Sequence, residues 1–315
     1  MKIVSYKLNN VIGSYRAGAV EDQYVMDLQE AYKQYLLHNG EIDLVKSIDY
    51  QLPHEMDAFF RLGTLAIERA KQAVNFVQDN DIQMIKYDLN DVILGPPVPK
   101  GAKIICIGTN YKNHVMEMKS SMPTVPVLFS KFSNAIIGPG DTIQKSPITN
   151  ALDYEGEFTV VIGKEASHVK QEDALDYIAG YTISNDVSAR DLQKRTPQWL
   201  QGKSLDKTTP VGPWIVTKDE LPDPSRVKIE TYVNGEKRQS SNTSHLIFNI
   251  PTLLEFITSI MTLEPGDIIL TGTPDGVGFA MDPPQFLQDG DVVRIEIEGI
   301  GVLENEVKNA EVPNR

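Results

Sequence analysis

The architecture follows from one run of residues, Leu152-Asp153-Tyr154-Glu155-Gly156-Glu157-Phe158-Thr159-Val160-Val161-Ile162-Gly163. Apolar side chains recur at every second position from Phe158 to Ile162, and such alternation predicts a β-strand. Residues two apart in a strand share a face, so Glu155 and Glu157 stand side by side, opposite an apolar face. Two interpretations are open. The run is an exposed edge strand with two solvated glutamates, or it carries buried carboxylates that a divalent cation neutralises.

The composition excludes several classes of protein. The chain has 315 residues, 41% of them hydrophobic and 23% charged, which is typical of a soluble globular protein. A net charge of -13, with no run rich in lysine and arginine, argues against nucleic acid or an anionic membrane as partner. The single cysteine, Cys106, cannot form an internal disulfide, which fits a reducing compartment. No run approaches the ~20 apolar residues of a membrane span, and the first residues lack a signal-peptide layout, so we expect a cytoplasmic protein.

The chain divides into two regions of different character. Residues 1–95 combine short β-like runs with helical patterns, including a helix predicted from Met56 to Val77, and carry no concentrated chemistry. Proline and glycine cluster at 96–101, which predicts a linker. Most runs in residues 102–315 are strand-like, and Asn234-Gly235 predicts a hairpin. We therefore expect an α+β protein, mainly β: a small α+β N-terminal domain, then a larger domain built as a β-sandwich or roll.

A second segment, Tyr181–Lys194, runs from a strand-like pattern into a helical one, with Asp186 at the junction. Asp186 is either the N-cap of the helix or a third oxygen ligand beside the two glutamates. Arg190 and Gln193 lie four and seven residues later on one helix face, and in the second interpretation they reach toward whatever the cation holds. Three carboxylates leave coordination positions open for water and substrate, as a catalytic Mg²⁺ or Mn²⁺ site requires.

Five motifs, in order along the chain, resemble the fumarylacetoacetate hydrolase family. They are Ile107–Glu117, Asp153–Glu157 with Val160–Lys164, Gly180–Gln193, Gly202–Asp206 and Leu270–Gly278. The resemblance covers about residues 100–307, and the N-terminal region looks like the accessory domain found in many bacterial members. It implies a mixed β-sandwich roll that is usually a homodimer. It also implies that Glu155, Glu157 and Asp186 bind a divalent cation, commonly Mg²⁺ or Mn²⁺ and in some members Ca²⁺.

The resemblance further implies a small 2-oxo or β-diketo acid as substrate, cleaved at a C–C bond. A 2-oxo carboxylate can chelate a cation, and cleavage of the next C–C bond leaves an enolate whose charge the cation stabilises. Attack by water predicts an acylpyruvate- or fumarylpyruvate-type hydrolase, and loss of CO₂ predicts an oxaloacetate decarboxylase. An isomerase or decarboxylase of hydroxymuconate-type intermediates from aromatic degradation is an alternative. A non-catalytic metal- or metabolite-binding protein is the alternative from another class.

The matched motifs supply the remaining candidate residues. His114 and Glu117 lie three apart on a short predicted helix, so the carboxylate can orient the imidazole as a base, although such pairs also occur on surfaces. In the family this segment behaves as a lid. The family position of Lys203 implies a catalytic cation facing the substrate or the metal's carboxylates. Gly272 and Thr273 lie in a loop of little bulk, where they can approach a substrate carboxylate.

Overall fold

The computed structural model describes residues 1–9 and 11–311. Residue 10 of the predicted N-terminal domain and residues 312–315 of the predicted C-terminal domain lie outside the described residues. The strands are, in chain order, β1 (Lys2–Leu8), β2 (Arg16–Glu21), β3 (Tyr24–Asp27), β4 (Lys86–Asp88), β5 (Val92–Gly95), β6 (Ile104–Gly108), β7 (Val127–Lys131), β8 (Ile136–Ile137), β9 (Ile143–Lys145), β10 (Leu152–Asp153), β11 (Gly156–Ile162), β12 (Ile178–Asn185), β13 (Ser188–Ala189), β14 (Thr209–Thr217), β15 (Lys228–Val233), β16 (Glu236–Asn242), β17 (Ile268–Leu270), β18 (Val292–Ile297) and β19 (Gly301–Asn309).

The α-helices are α1 (Leu28–His38), α2 (Ile42–Val45), α3 (Ile48–Gln51), α4 (Met56–Arg61), α5 (Thr64–Asp79), α6 (Lys112–Glu117), α7 (Arg190–Gln193), α8 (Leu200–Lys203) and α9 (Ile250–Ile260). Short 3₁₀ turns cover Leu89–Asp91, Ser133–Ala135, Gln171–Tyr177, Pro224–Arg226, Thr243–His245 and Gly278–Ala280. Within the described ranges, the helices are all too short or too polar to cross a membrane.

Two packed sheets form the body of the protein. A twelve-stranded sheet follows the order β4-β3-β2-β1-β14-β12-β11-β17-β6-β7, with β5 beside β1 and β8 beside β14. A five-stranded sheet has the order β16-β15-β18-β19-β9, and β10 pairs with β13. Phe158 and Val160 of the large sheet share a buried core with Ile229 and Ile295 of the small one. The mainly-β sandwich predicted from the sequence is therefore confirmed.

Strand β11 lies inside the large sheet and not at its edge. It pairs with β12 on one side and with β17 on the other, both antiparallel. Phe158 and Val160 pack into the core between the sheets, while Val161 packs into a second core with the helices of the N-terminal region. The interpretation of β11 as an edge strand with solvated glutamates is wrong, because both edges are paired and both faces are covered.

The N-terminal strands belong to the same sheet as the strands of the site. Strand β1 pairs with β14 through Lys2–Val216 and Ile3–Ile215, and β2 and β3 extend the sheet outward from β1. Helices α1, α4 and α5 cover that part of the sheet. The division at residues 96–101 stays a prediction, but the N-terminal region is joined to the rest of the chain directly, because its strands extend the large sheet.

The helix predicted from Met56 to Val77 is two helices, so that prediction is wrong. Helix α4 ends at Arg61 and α5 begins at Thr64, with Gly63 between them at a φ of 59°. A residue in this left-handed region cannot continue an α-helix, and glycine adopts it without steric cost. A Cβ at this position would also lie 3.1 Å from the Gly163 carbonyl oxygen. Glycine therefore also lets the backbone at the break pack closely against the loop that follows β11.

The hairpin predicted at Asn234-Gly235 is confirmed. The two residues join β15 to β16 and have φ values of 52° and 78°. Two-residue hairpins of the type I′ class need positive φ at both positions, which is why this dipeptide is a strong sequence signal.

Candidate metal centre

The antiparallel register of β11 and β12 brings three carboxylates together. Glu155 directly precedes β11, Glu157 is its second residue, and Asp186 directly follows β12. The ladder continues past the strand ends, where the Asp186 backbone N–H donates to the Glu155 carbonyl oxygen at 2.8 Å. One oxygen of each carboxylate lies within 4.8 Å of the others, and the three residues are 5%, 2% and 0% exposed.

Two buried lysines bind Asp186. Lys131 Nζ donates to Asp186 Oδ1 at 2.8 Å, and Lys203 Nζ donates to Oδ2 at 2.7 Å. Lys203 Nζ also donates to Glu155 Oε2 at 2.7 Å, so one ammonium bridges two of the three carboxylates. The N-cap interpretation of Asp186 is wrong: α7 begins after Ala189 and has no side-chain cap, because β13 intervenes between Asp186 and the helix.

Arg190 clamps the first glutamate. Its Nε donates to Asp153 Oδ2 at 2.8 Å, and its Nη2 lies 2.6 Å from Glu155 Oε1. Asp153 is itself held by the backbone N–H groups of Gly278 and Phe279, at 2.8 and 3.1 Å. The loop after β17 therefore holds Asp153, Asp153 holds Arg190, and Arg190 orients Glu155. The sequence does not indicate this series of contacts.

The two glutamates sit in opposite electrostatic environments. Burial alone would raise the pKa of Glu155, but the charges of Arg190 and Lys203 outweigh it and hold that pKa well below its ordinary value. Burial, reinforced by the charges of Asp186 and Glu155, raises the pKa of Glu157 well above its ordinary value. The Glu157 Oε2 accepts a hydrogen bond from the Gly272 backbone N–H at 2.7 Å. This contact lowers the pKa of Glu157, but by less than burial and the neighbouring carboxylates raise it.

The cluster fits a hard divalent cation. Within residues 1–9 and 11–311 the buried charges of the centre are four carboxylates and three cations: Asp153, Glu155, Glu157 and Asp186, with Lys131, Arg190 and Lys203. The excess negative charge falls at Glu157. Oxygen donors gathered this closely are the ligands that Mg²⁺ and Mn²⁺ prefer, and they suit the predicted cofactor.

A cavity of about 330 Å³ opens onto the three carboxylates. His114 lies in its wall and is only 6% exposed. The His114 Nδ1 lies 3.3 Å from Glu117 Oε2, and Glu117 Oε1 accepts from the Gly276 backbone N–H at 2.8 Å. The predicted pair is therefore formed, with His114 buried and Glu117 half-buried, and its imidazole faces the same space as the predicted metal ligands.

The family model for the C-terminal region of fumarylacetoacetate (FAA) hydrolase matches residues 103–308, which contain every one of these side chains. The chain belongs to the fumarylacetoacetate hydrolase family. Among curated relatives, the oxaloacetate tautomerase YisK of Bacillus subtilis (strain 168) is 44% identical over 292 residues, covering 91% of this chain and 94% of its own. The resemblance predicted from the five motifs is thus confirmed.

Solved structures of the family match the whole fold. The 5-carboxymethyl-2-hydroxymuconate delta-isomerase of Mycobacterium smegmatis is 32% identical, with a TM-score of 0.72, covering 98% of this chain and 100% of its own. The maleylpyruvate hydrolase of Sphingobium sp. SYK-6, solved with manganese(II) and pyruvate, is 27% identical, with a TM-score of 0.75, covering 99% and 100%. Both are enzymes, and the prediction that this chain is an enzyme of the family is confirmed.

Of the remaining predicted residues, Gln193 and Thr273 line the same cavity and Gly272 directly precedes Thr273, but several of their polar groups already have protein partners. Gln193 Oε1 accepts from Arg190 Nη1 at 3.2 Å. The Gly272 N–H is engaged with Glu157, and Thr273 Oγ1 donates to the Gly156 carbonyl oxygen at 2.9 Å while accepting from Gln239. In this conformation Gly272 and Thr273 fasten their loop to β11. Their role in substrate binding stays a prediction.

Three contributors to the site were missed by sequence reasoning. Asp153 lies inside a matched motif, beside Glu155, and that neighbourhood was the available signal. Lys131 ends a strand in the way that surface lysines often do, so no pattern distinguishes it. Asn110 fastens the start of α6, because its side-chain amide donates to the Thr271 and Phe248 carbonyl oxygens at 2.8 and 3.0 Å.

Replacing Arg190 with methionine should destabilise the protein strongly. The change leaves Asp153 and Glu155 buried without the guanidinium, and breaking a buried ion pair from one side costs about 3–5 kcal/mol. Urea unfolding followed by circular dichroism measures this. Arg294→Met is the matched control, since Arg294 pairs with Glu296 and Glu304 on an exposed surface and its loss should cost about 1 kcal/mol or less. Equal losses in the two variants would contradict the clamp.

Proposed function

We propose that this protein is a divalent-metal-dependent enzyme that acts on a small 2-oxo acid through an enolate, and that it interconverts the enol and keto forms of oxaloacetate. The observation that carries the proposal is the burial of three carboxylates and His114, which Glu117 contacts, around one small cavity. Such a site needs a metal and a proton carrier, and no covalent nucleophile. The extensive similarity to an oxaloacetate tautomerase supports this choice of reaction.

The residues divide the chemistry between them. Glu155, Glu157 and Asp186 would hold the cation, which supplies Lewis-acid stabilisation of the negative charge that develops on the substrate oxygen. Glu117 faces Nδ1 of His114 and favours the tautomer protonated there, which leaves Nε2 as the basic nitrogen. His114 then removes the enol O–H proton and returns a proton to C3, so that one proton leaves oxygen and one arrives at carbon.

Cleavage of a C–C bond is the second candidate function, as the family resemblance predicts. Hydrolysis of an acylpyruvate and decarboxylation of oxaloacetate both pass through the same enolate, so the same residues serve them. The maleylpyruvate hydrolase with manganese and pyruvate supports this candidate, because it shares the fold over 99% of this chain. The delta-isomerase neighbour likewise supports the alternative of isomerising hydroxymuconate-type compounds.

A substrate panel with Mn²⁺ or Mg²⁺ separates these functions. Enol-oxaloacetate is followed by the loss of its ultraviolet absorbance, and pyruvate release is measured from oxaloacetate, acetylpyruvate and fumarylpyruvate. We expect the enol form to decay fastest in the presence of enzyme and metal. Pyruvate release that outpaces tautomerisation would favour cleavage. No acceleration with any of the substrates would favour the non-catalytic metal- or metabolite-binding protein.

We also infer that the protein acts as a homodimer in the cytoplasm, as predicted from the family and the cysteine content. Exposed apolar side chains support self-association: Phe132 and Met261 are 54% and 37% exposed and line one groove beside β7, an outer strand of the large sheet. Light scattering during size-exclusion chromatography tests this, with twice the chain mass of 35.1 kDa expected. The chain's own mass would contradict it.

A further inference from the structure

The cations that line the cavity are not equivalent. Arg190, Lys194 and Lys203 are its lysine and arginine side chains. Arg190 binds Asp153 and Glu155, and Lys203 binds Glu155 and Asp186, so the charges of both are matched by carboxylates of the metal centre. Within the described ranges Lys194 makes no ion pair, and the charge that acts on it is the positive one of Arg190. Lys194 is therefore the cavity cation whose charge is not matched.

Lys194 is an exposed residue of the cavity wall, and two contacts fix its position. It caps the C-terminus of α7, directly after Gln193, and its backbone N–H donates to the Arg190 carbonyl oxygen at 3.2 Å. Its Nζ lies 3.5 Å from the centre of the Phe279 ring, in cation–π contact. Phe279 is in turn tied by its backbone N–H to Asp153. The ammonium is thus anchored to both α7 and the loop after β17.

The positive charge of Lys194 would be stabilised by an anion, and no carboxylate of the described residues pairs with it. Partial burial, together with the positive charge of Arg190, lowers the pKa of Lys194, so the ammonium is poorly compensated where it stands. The hydroxyl groups of Ser120 and Thr196 line the same cavity, but they donate to the Met118 and Gln198 carbonyl oxygens at 3.5 and 2.9 Å. Of these three side chains, Lys194 is therefore the donor that has no acceptor of its own among the described residues. A second carboxylate on the substrate would supply the missing charge, while the 2-oxo acid end occupies the metal centre.

We propose that Lys194 binds the distal carboxylate of the substrate and selects dicarboxylic 2-oxo acids over monocarboxylic ones. This inference rests on the proposed function, because it places the reacting 2-oxo acid end at Glu155, Glu157 and Asp186. Lys194 is a specificity-determining residue in this account and takes no part in proton transfer. A charge-assisted hydrogen bond made by only one of two substrates is worth about tenfold in the ratio of their rates.

The test compares Lys194→Gln with the wild-type enzyme on two substrates, enol-oxaloacetate and enol-phenylpyruvate, with Mn²⁺ present. We expect the ratio of kcat/KM for the dicarboxylate to that for the monocarboxylate to fall about tenfold, mainly through the KM for oxaloacetate. Arg195→Gln is the matched control, since Arg195 is the next cation along the chain, is exposed and does not line the cavity. It should leave the ratio within twofold of wild type.

The outcomes separate this inference from the proposed function. An unchanged ratio in Lys194→Gln, or an equal fall for both substrates, would overturn the role of Lys194 while leaving the 2-oxo acid chemistry standing. A similar fall in Arg195→Gln would also overturn it, because general surface charge would then explain the effect. Absence of turnover of either substrate by the wild-type protein would instead overturn the proposed function. Thermal melts check that both variants are folded. We expect melting temperatures close to wild type, because both positions are exposed.

Discussion

Glu157→Gln should abolish most activity while making the metal-free protein more stable. Glutamine keeps an oxygen that can accept the Gly272 N–H, but it is a poor ligand for a hard cation. Losing one of three metal ligands should reduce kcat/KM by more than about 100-fold, since even residues behind the ligands are worth 10–100-fold in metal sites. Steady-state kinetics at fixed Mn²⁺ concentration measure this loss.

The gain in stability follows from the charges around Glu157. Its carboxylate lies among those of Glu155 and Asp186, while the nearby cations are engaged by the latter two. Neutralising it removes repulsion without leaving any cation unpaired. In the presence of EDTA, the variant should therefore melt at a higher temperature than wild type near neutral pH. A residue that merely supported the fold would show a lower melting temperature, which separates the two roles.

The pH dependence has a definite sign. Burial, with the charges of Asp186 and Glu155, raises the pKa of Glu157 in the folded state above its ordinary value of 4.5. The folded state therefore binds this proton more tightly than the unfolded state, and the metal-free protein loses stability as pH rises from about 4.5 through the raised pKa. Glu157→Gln cannot titrate, so its melting temperature should depend less on pH over that range.

The matched control is Glu165→Gln, the same substitution at an exposed position shortly after β11. It should change neither activity nor the pH dependence of melting. Activity of Glu157→Gln within tenfold of wild type, or a melting temperature below wild type in EDTA, would contradict the assignment of Glu157 as a metal ligand.

His114→Gln should lower kcat by about 100- to 10,000-fold without changing metal binding, because a positioned acid or base contributes that much to proton transfer. The imidazole is buried beside Glu117 and shares the cavity with the three carboxylates, and among the described residues its side-chain hydrogen bond goes to Glu117 and not to any of them. Proton transfer is read directly as deuterium incorporated at C3 of the substrate from heavy water, followed by nuclear magnetic resonance. His245→Gln, at an exposed histidine, is the control and should behave as wild type.

The His114 variant also separates the two candidate functions. If the protein cleaves acylpyruvates, His114 must activate water, and hydrolysis should suffer far more than decarboxylation of oxaloacetate, which needs no attacking water. An equal loss in both reactions would argue against a water-activating base. A loss of less than tenfold in deuterium exchange would contradict its role as the proton carrier.

The sequence was sufficient for the local features and for the carboxylates that the fold brings together. Alternation around Phe158 predicted the strand, and the spacing of Glu155 and Glu157 placed them on one face. Asn234-Gly235 predicted its hairpin, because a two-residue turn of this type needs positive φ at both positions and few residue types other than asparagine and glycine adopt it readily. Asp186 could be proposed as a ligand from its place at a strand end, but placing its carboxylate beside those of Glu155 and Glu157 required the pairing of β11 with β12.

Features that depend on distant pairing could not be predicted. Whether β11 lies at an edge is decided by β12 and β17, and the second of these is more than a hundred residues away along the chain. The same holds for Lys131, whose buried ammonium meets Asp186 only after the sheet forms. Arg190 was expected to face the substrate, yet its guanidinium is engaged by Asp153 and Glu155, because burying two carboxylates requires a nearby cation.

The central claim is that Glu155, Glu157 and Asp186 bind one catalytic divalent cation, and a single titration tests it most directly. Protein dialysed against EDTA is titrated with Mn²⁺, and free ion is followed by electron paramagnetic resonance while turnover of oxaloacetate is measured in the same samples. We predict no turnover before addition, one tight Mn²⁺ per chain, and activity that rises in proportion to the bound ion. Full activity after EDTA treatment, or tight binding that persists in Glu157→Gln, would contradict the account.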